Sequence, residues 1–100
     1  MVRARFIKAP DPGTISALAR RMAPEARSVV TGRRYDAVGL VQAHLPDLFY
    51  YMDEAVKASS VYAVEISGNC PQQISMIALF GDTESVRHAL ATLGQLTKED

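Results

Sequence analysis

The sequence predicts an α+β fold in which helices pack on one mostly antiparallel sheet. Three observations predict it. Five short apolar runs have the length and patterning of strands. Three longer stretches repeat apolar residues at helical spacing. Turn formers separate the two kinds of segment, with no low-complexity linker and no repeat at a solenoid period. A chain of 100 residues is sized for one domain, 1–100, with a modest core.

Val2, Ala4 and Phe6 alternate with Arg3 and Arg5, so residues 2–7 read as a half-buried strand that Pro10, Pro12 and Gly13 end. Ile15, Leu18, Ala19 and Met22 then fall at helical spacing. Thr14 is placed to cap that helix, Arg20 and Arg21 suit its C-terminal end, and Pro24 stops it. Ser28-Val29-Val30 before Thr31-Gly32 reads as a short strand and turn. Ala37-Val38-Gly39-Leu40-Val41 is nearly continuously apolar, as a central strand should be. Pro46 fits a first helical turn. Leu48, Met52, Ala55 and Ser59, with Tyr51 and Val56 beside them, give the next helical stripe. Residues 61–66 and 74–80 read as strands. Asp82 or Thr83 caps a last helix with Glu84 in its first turn. Val86, Ala89, Leu90 and Leu93 form its stripe, Gly94 supplies a stop, and residues 97–100 read as a frayed tail.

The formal net charge is zero, but its distribution is uneven. Residues 1–34 hold eight of the eleven Lys and Arg residues and only two acids, Asp11 and Glu25. Such polarity either complements itself between copies, offers a basic face to a partner, or marks two solvated faces. A single cysteine excludes an intramolecular disulfide and fits a reducing compartment. No apolar run approaches the roughly 20 residues of a membrane-spanning helix. The N-terminal residues lack a signal-peptide core, so the expected location is the cytoplasm.

Enzyme signatures are missing from the sequence: it has no GxGxxG, no Walker-type loop, no HExxH and no GxSxG. His44 and His88 lie far apart in the chain and read as surface or helix-end histidines. With Cys70 they would still make an incomplete zinc site, one ligand short and without ligand-pair spacing. Asp53 and Glu54 adjoin on a helix and diverge, which suits no acid–base pair. Asp53 and Lys57 are four residues apart and point the same way, as a surface ion pair does. Cys70 sits in the loop Gly68-Asn69-Cys70-Pro71-Gln72. By itself it is either a small inert loop or core residue, or one thiol that needs other copies to complete a metal site.

Three segments, taken together, resemble a known family. Ala37-Val38-Gly39-Leu40-Val41 is similar to its first strand, A-x-G-hydrophobic-V. Asp53-Glu54-Ala55-Val56-Lys57-Ala58-Ser59-Ser60-Val61 is similar to the helix end D-x-x-x-K-A-x-x-V. Gly81-Asp82-Thr83-Glu84-Ser85-Val86-Arg87-His88-Ala89 is similar to the opening of its final helix, G-D-x-x-x-V-x-x-A. These are motifs of the shell proteins of bacterial microcompartments, which share the BMC domain. In the commonest members a strand with an I-x-x-P-like signature and its helix follow these pieces. Here Phe6-Ile7-Lys8-Ala9-Pro10 precedes them, so the chain resembles the circularly permuted class over nearly its whole length; permutation is tolerated when termini lie close at the surface. The resemblance implies a flat cyclic hexamer that tiles edge to edge with other microcompartment shell proteins. It implies that Lys57 is the hexamer-edge contact, and that the loop between the last two strands lines a central pore.

That loop fits the G-x-C-P-Q pattern of a permuted subset, the GrpU type, from compartments that house glycyl radical enzymes. In that subset the cysteine binds an iron–sulfur cluster at the pore. The resemblance therefore implies a cluster of the 4Fe-4S kind, shared between subunits, with Cys70 as its ligand. Thiolate suits iron–sulfur ligation. Gly68 permits a close backbone approach, Pro71 stiffens the loop, and Gln72, with Asn69 beside the thiol, lines the pore or donates to a sulfide. A cubane has four irons, which six-fold symmetry does not match. Either some cysteines stay unligated or the ring breaks its symmetry. The cluster would carry electrons across the shell or sense redox state, and the protein would not be an enzyme.

Two other classes compete. One is a small nucleic-acid-binding domain using Arg3, Arg5, Lys8, Arg33 and Arg34 of the basic N-terminal third. Its tyrosines, Tyr35, Tyr50, Tyr51 and Tyr62, make no aromatic strand motif, which speaks against it. The other is a small-molecule-sensing domain, which would need a ligand loop that the sequence lacks.

Overall fold

Residues 3–67 and 74–99 are described by a computed structural model. In chain order the elements are β1 (Arg3–Lys8), α1 (Pro12–Ala19), α2 (Pro24–Thr31), β2 (Ala37–His44), α3 (Leu45–Ala58), β3 (Tyr62–Ile66), β4 (Ile74–Gly81) and α4 (Thr83–Glu99). The strands form one sheet in the order β1-β2-β4-β3, and every pairing is antiparallel. The sheet was expected to be mostly antiparallel; among the described residues it is wholly so.

Strand alternation sends successive side chains to opposite faces, and both faces are apolar. On one face Val41, Ala43, Ile77 and Leu79 pack with Leu48, Tyr51 and Ala55 of α3 and Ala89 and Leu93 of α4. On the other, Val38, Val64, Ile66, Ala78 and Phe80 pack with Leu18 of α1, with Met22 of the turn after it and with Val30 of α2. This explains why β2 and β4 read as continuous apolar runs: each is covered twice. Gly39 lies where α4 comes closest. A Cβ there would sit 3.1 Å from Val86 and 3.2 Å from Leu90.

Several local expectations change. Residues 28–30 are not a strand; they belong to α2. Pro24 opens that helix, Glu25 occupies its first turn, and Val30 is its buried residue. Asp11, not Thr14, caps α1, accepting a 2.8 Å hydrogen bond from the Gly13 amide. Met22 is buried in the turn beyond α1 rather than within it. β2 continues to His44. Gly94 does not end α4, which runs on to Glu99. Buried Leu93 holds this part of the helix to the sheet, while a Cβ at Gly94 would meet nothing within 4 Å.

Arg27 joins the two helices of the α1–α2 layer. Its Nε donates to the Ala19 carbonyl (3.0 Å) and its Nη2 to the Met22 carbonyl (3.2 Å). Ala19 is the last residue of α1 and Met22 lies in the turn after it, so the guanidinium ties α2 to carbonyls at and just beyond that terminus. Arg27→Ala is expected to cost about 1 kcal/mol. A drop in Tm of roughly 4–8 °C in a thermal melt would show it.

The uneven charge of the sequence becomes an uneven charge of two layers. The α1–α2 layer and the link after it carry Arg20, Arg21, Arg27, Arg33 and Arg34 against Asp11, Glu25 and Asp36. Arg3 and Arg5 share the parity of Ile7, which packs on that same side. The α3–α4 layer carries Asp47, Asp53, Glu54 and Glu84 against Lys57 and Arg87.

Candidate functional site

β3 ends at Ile66 and β4 begins at Ile74, paired antiparallel, so the segment joining them leaves one end of the sheet. The register brings Arg3 opposite Gln42 and His44 opposite Ile74 at this same end. The expected pore residues Gly68, Asn69, Cys70, Pro71 and Gln72 lie outside the described residues. The foot of the segment is described. The Ser67 amide donates to the Arg21 carbonyl (2.8 Å), and Arg21 Nη1 donates to the Ser67 carbonyl (3.3 Å). The α1–α2 turn thus grips the start of the loop from both directions. Arg3 and Arg5 are exposed at the same end. Nothing in the local sequence marked Arg21 for this role, because its partner is 46 residues away. Among the described residues no group of three or more His, Cys, Asp or Glu is placed to hold a metal ion.

Lys57 lies in the last turn of α3, where a cation complements the helix dipole. Its Nζ is 2.6 Å from Asp53 Oδ2, one helical turn earlier, and both side chains are exposed. The hydrogen bond to Asp53 and the charge of that carboxylate raise the lysine's pKa above its ordinary value. The expected edge residue therefore stands in solvent, in an ion pair.

The outer side of α3 is unexpectedly apolar. Leu45, Phe49 and Val56 are 39%, 54% and 49% exposed, and half-buried Met52 falls between them. The spacing i, i+4, i+7, i+11 makes them one stripe, with exposed Tyr50 beside it. The sequence reading assigned the apolar residues of this helix to a single inward stripe. Phe49 and Leu45 fall off that stripe, and this was the available signal for a second one. An exposed apolar strip on a surface helix is the kind of surface that protein–protein contacts use.

At the start of α4, Asp82 behaves as the sequence predicts. Its Oδ1 accepts from the Ser85 amide (2.8 Å) and its Oδ2 from the Ser85 hydroxyl (3.0 Å). These hydrogen bonds hold its carboxyl below the ordinary carboxylate pKa. A lowered native pKa means that the carboxylate's contribution is complete above the unfolded value of 3.8. It is lost as pH falls through the native value. Asp82→Asn is expected to lower Tm at neutral pH and to reduce the fall of Tm between neutral pH and the acid range, read from melts across pH.

No helix among the described residues is long and apolar enough to cross a membrane. No family model matches the chain, and no curated protein matches it. Solved structures do. The ligand-free GrpU microcompartment shell protein from Pectobacterium wasabiae is 34% identical, with a TM-score of 0.74. That match covers 92% of this chain and 99% of the other. The GrpU shell protein from Clostridiales bacterium 1_7_47FAA, also ligand-free, is 31% identical, with a TM-score of 0.67. It covers 91% of this chain and 86% of the other. The ethanolamine utilization protein EutL from Leptotrichia buccalis shares the fold at 22% identity and a TM-score of 0.56. There the match spans 91% of this chain but 42% of the other.

Proposed function

This chain belongs to the GrpU family of microcompartment shell proteins, and we propose that it is a cyclic homohexameric tile whose β3–β4 loops line a central pore and hold an iron–sulfur cluster through Cys70. One observation carries the tile reading: the match to a GrpU shell protein extends over almost the full length of both chains. The role is structural. The tile joins other shell proteins in the wall of a cytoplasmic microcompartment, of the kind that encloses a glycyl radical enzyme. In the fold β1 and α1 precede β2, α3, β3, β4 and α4, which supports the permuted reading.

Leu45, Phe49 and Val56 meet a neighbouring chain within the ring, which removes the α3 stripe from water. Lys57, at the far end of that helix, stands at the edge where rings meet. Each edge contact is weak, and repetition across a tiled sheet multiplies it.

The donor chemistry fits the cluster. One chain has one cysteine, so several chains around an axis are needed, and a loop from one end of the sheet is where a ring can bring them together. Soft thiolates are the usual ligands of iron–sulfur clusters. When bound, such a cluster supplies one-electron transfer, for passage across the shell or for redox sensing. The chain's own residues do the holding. Cys70 supplies the thiolate, Gly68 lets backbone amides come near, and Pro71 stiffens the loop. Asn69 and Gln72 line the opening with amides. The Arg21–Ser67 hydrogen bonds fix the direction in which the loop departs.

The test is native mass spectrometry of wild-type protein purified under strict anaerobiosis, with iron and acid-labile sulfide measured on the same sample. A hexamer carrying both supports the whole reading. A hexamer that stays free of iron after reconstitution leaves a plain tile with Cys70 as pore lining. A monomer removes the tile reading.

A further inference from the structure

We propose that the groove between the β1–α1 turn and the α2–β2 link binds an extended acidic peptide segment of a partner protein. This goes beyond the tile reading and does not depend on Cys70. The groove encloses about 1130 Å³, more than the range of about 300–1,000 Å³ usual for small-molecule sites. Ile15, Val30 and Tyr35 give it an apolar floor, and Lys8, Arg33 and Arg34 stand around it as exposed cations. Asp11 and Asp36 also border it, yet the ion pair among the described residues is the distant Lys57–Asp53. Among the described residues the three cations thus form no ion pair with a carboxylate.

Arg33 is held in place. Its guanidinium lies 5.2 Å from the centre of the Tyr35 ring, and that ring leans on buried Phe80 at 5.3 Å. The two walls are tied together by a 2.7 Å hydrogen bond from the Ala9 amide to the Asp36 carbonyl. Ala9 has a φ of 50°, a left-handed conformation that disfavours a residue with a Cβ. The turn that carries Lys8 is therefore set by backbone contacts and not free to swing.

Charge complementarity selects an acidic partner, and the layout selects an extended chain. Cations on two walls above an apolar floor match carboxylates that alternate with apolar side chains. A compact phosphate would look for free amides, but at the start of α1 the Gly13 amide donates to the Asp11 carboxylate and the Thr14 and Ile15 amides donate to the Asp11 carbonyl. Single-stranded RNA would look for an open aromatic face, but Tyr35 is flanked by Arg33 and Phe80.

The test uses fluorescence anisotropy on the intact assembled protein. The probe is a labelled seven-residue peptide alternating glutamate with leucine; a peptide with lysine in place of glutamate is its control. Saturable binding of the acidic peptide alone is expected. It should weaken about tenfold or more in Arg33→Glu/Arg34→Glu, and by a similar factor between about 50 and 300 mM salt. The milder Arg33→Gln/Arg34→Gln should weaken it in the same direction, with native mass confirming assembly. Arg20→Glu, an exposed cation outside the groove, should leave it unchanged. No saturable binding, or equal binding by the double variants, overturns the proposal. So does displacement of the peptide by inorganic phosphate or by a single-stranded RNA that binds more tightly, which would reassign the groove to that ligand.

Discussion

Cys70→Ser is expected to retain the ring and lose all iron and acid-labile sulfide. Serine keeps nearly the size of cysteine and replaces a soft, readily ionised sulfur with a hard hydroxyl that stays protonated at neutral pH. The chain has no second cysteine, so no neighbouring thiol can substitute. The effect on iron is therefore expected to be complete. Wild type with one cubane per ring would carry about four irons per six chains. Iron assay, sulfide assay and native mass on matched anaerobic samples decide the matter. A Cys70→Ser ring that keeps its iron would show that the metal is held elsewhere.

Phe49→Asp is expected to convert the proposed hexamer to monomer without unfolding the chain. Phe49 is 54% exposed, so the folded single chain loses little when it is replaced. In the ring the ring face of every subunit would change. Full burial of such a side chain is worth about 1.5–3 kcal/mol, of which roughly half remains to be gained at each contact. The new carboxylate adds a desolvation penalty at the same place. Repeated around a closed ring, these losses act together on assembly. Size-exclusion chromatography with a thermal melt separates the two effects: lower mass with a retained cooperative transition is the expected pair. Persistence of the hexamer would exclude the α3 stripe from the subunit contact. Lys57→Ala differs in kind, since it should keep the ring and weaken only its lateral tiling.

Periodicity made much of this fold legible. β2 and β4 stood out because both their faces are buried, and α3 and α4 because their inner stripes recur at helical spacing. The Asp82 cap was readable because a capping carboxylate acts on amides three residues away. The failures share a cause. Val29 and Val30 looked like a strand because two adjacent apolar residues carry no period. Only the docking of Val30 under the sheet, with Arg27 bonded to α1, makes that segment helical. Gly94 looked like a stop because its local signal is strong; the packing of Leu93 overrides it. The loop motif around Cys70 was legible as a motif. The Arg21 grip on Ser67 was not, because it is written in tertiary distance. The outer α3 stripe was missed because apolar residues in a lone chain are naturally assigned to that chain's own core.

The two unlike layers also give a tile a sense of direction. The shortest extent of the chain is 19 Å, while mobile ions at physiological strength screen charge over about 8 Å. If the two layers form the two surfaces of a sheet of such tiles, those surfaces are electrically independent: the basic one would draw anions and the acidic one cations. A wall in which every tile faces the same way would present different ionic atmospheres to the compartment and to the cell. Turning one tile over would set its acidic layer among basic neighbours on one side and its basic layer among acidic neighbours on the other, and so break up both atmospheres locally.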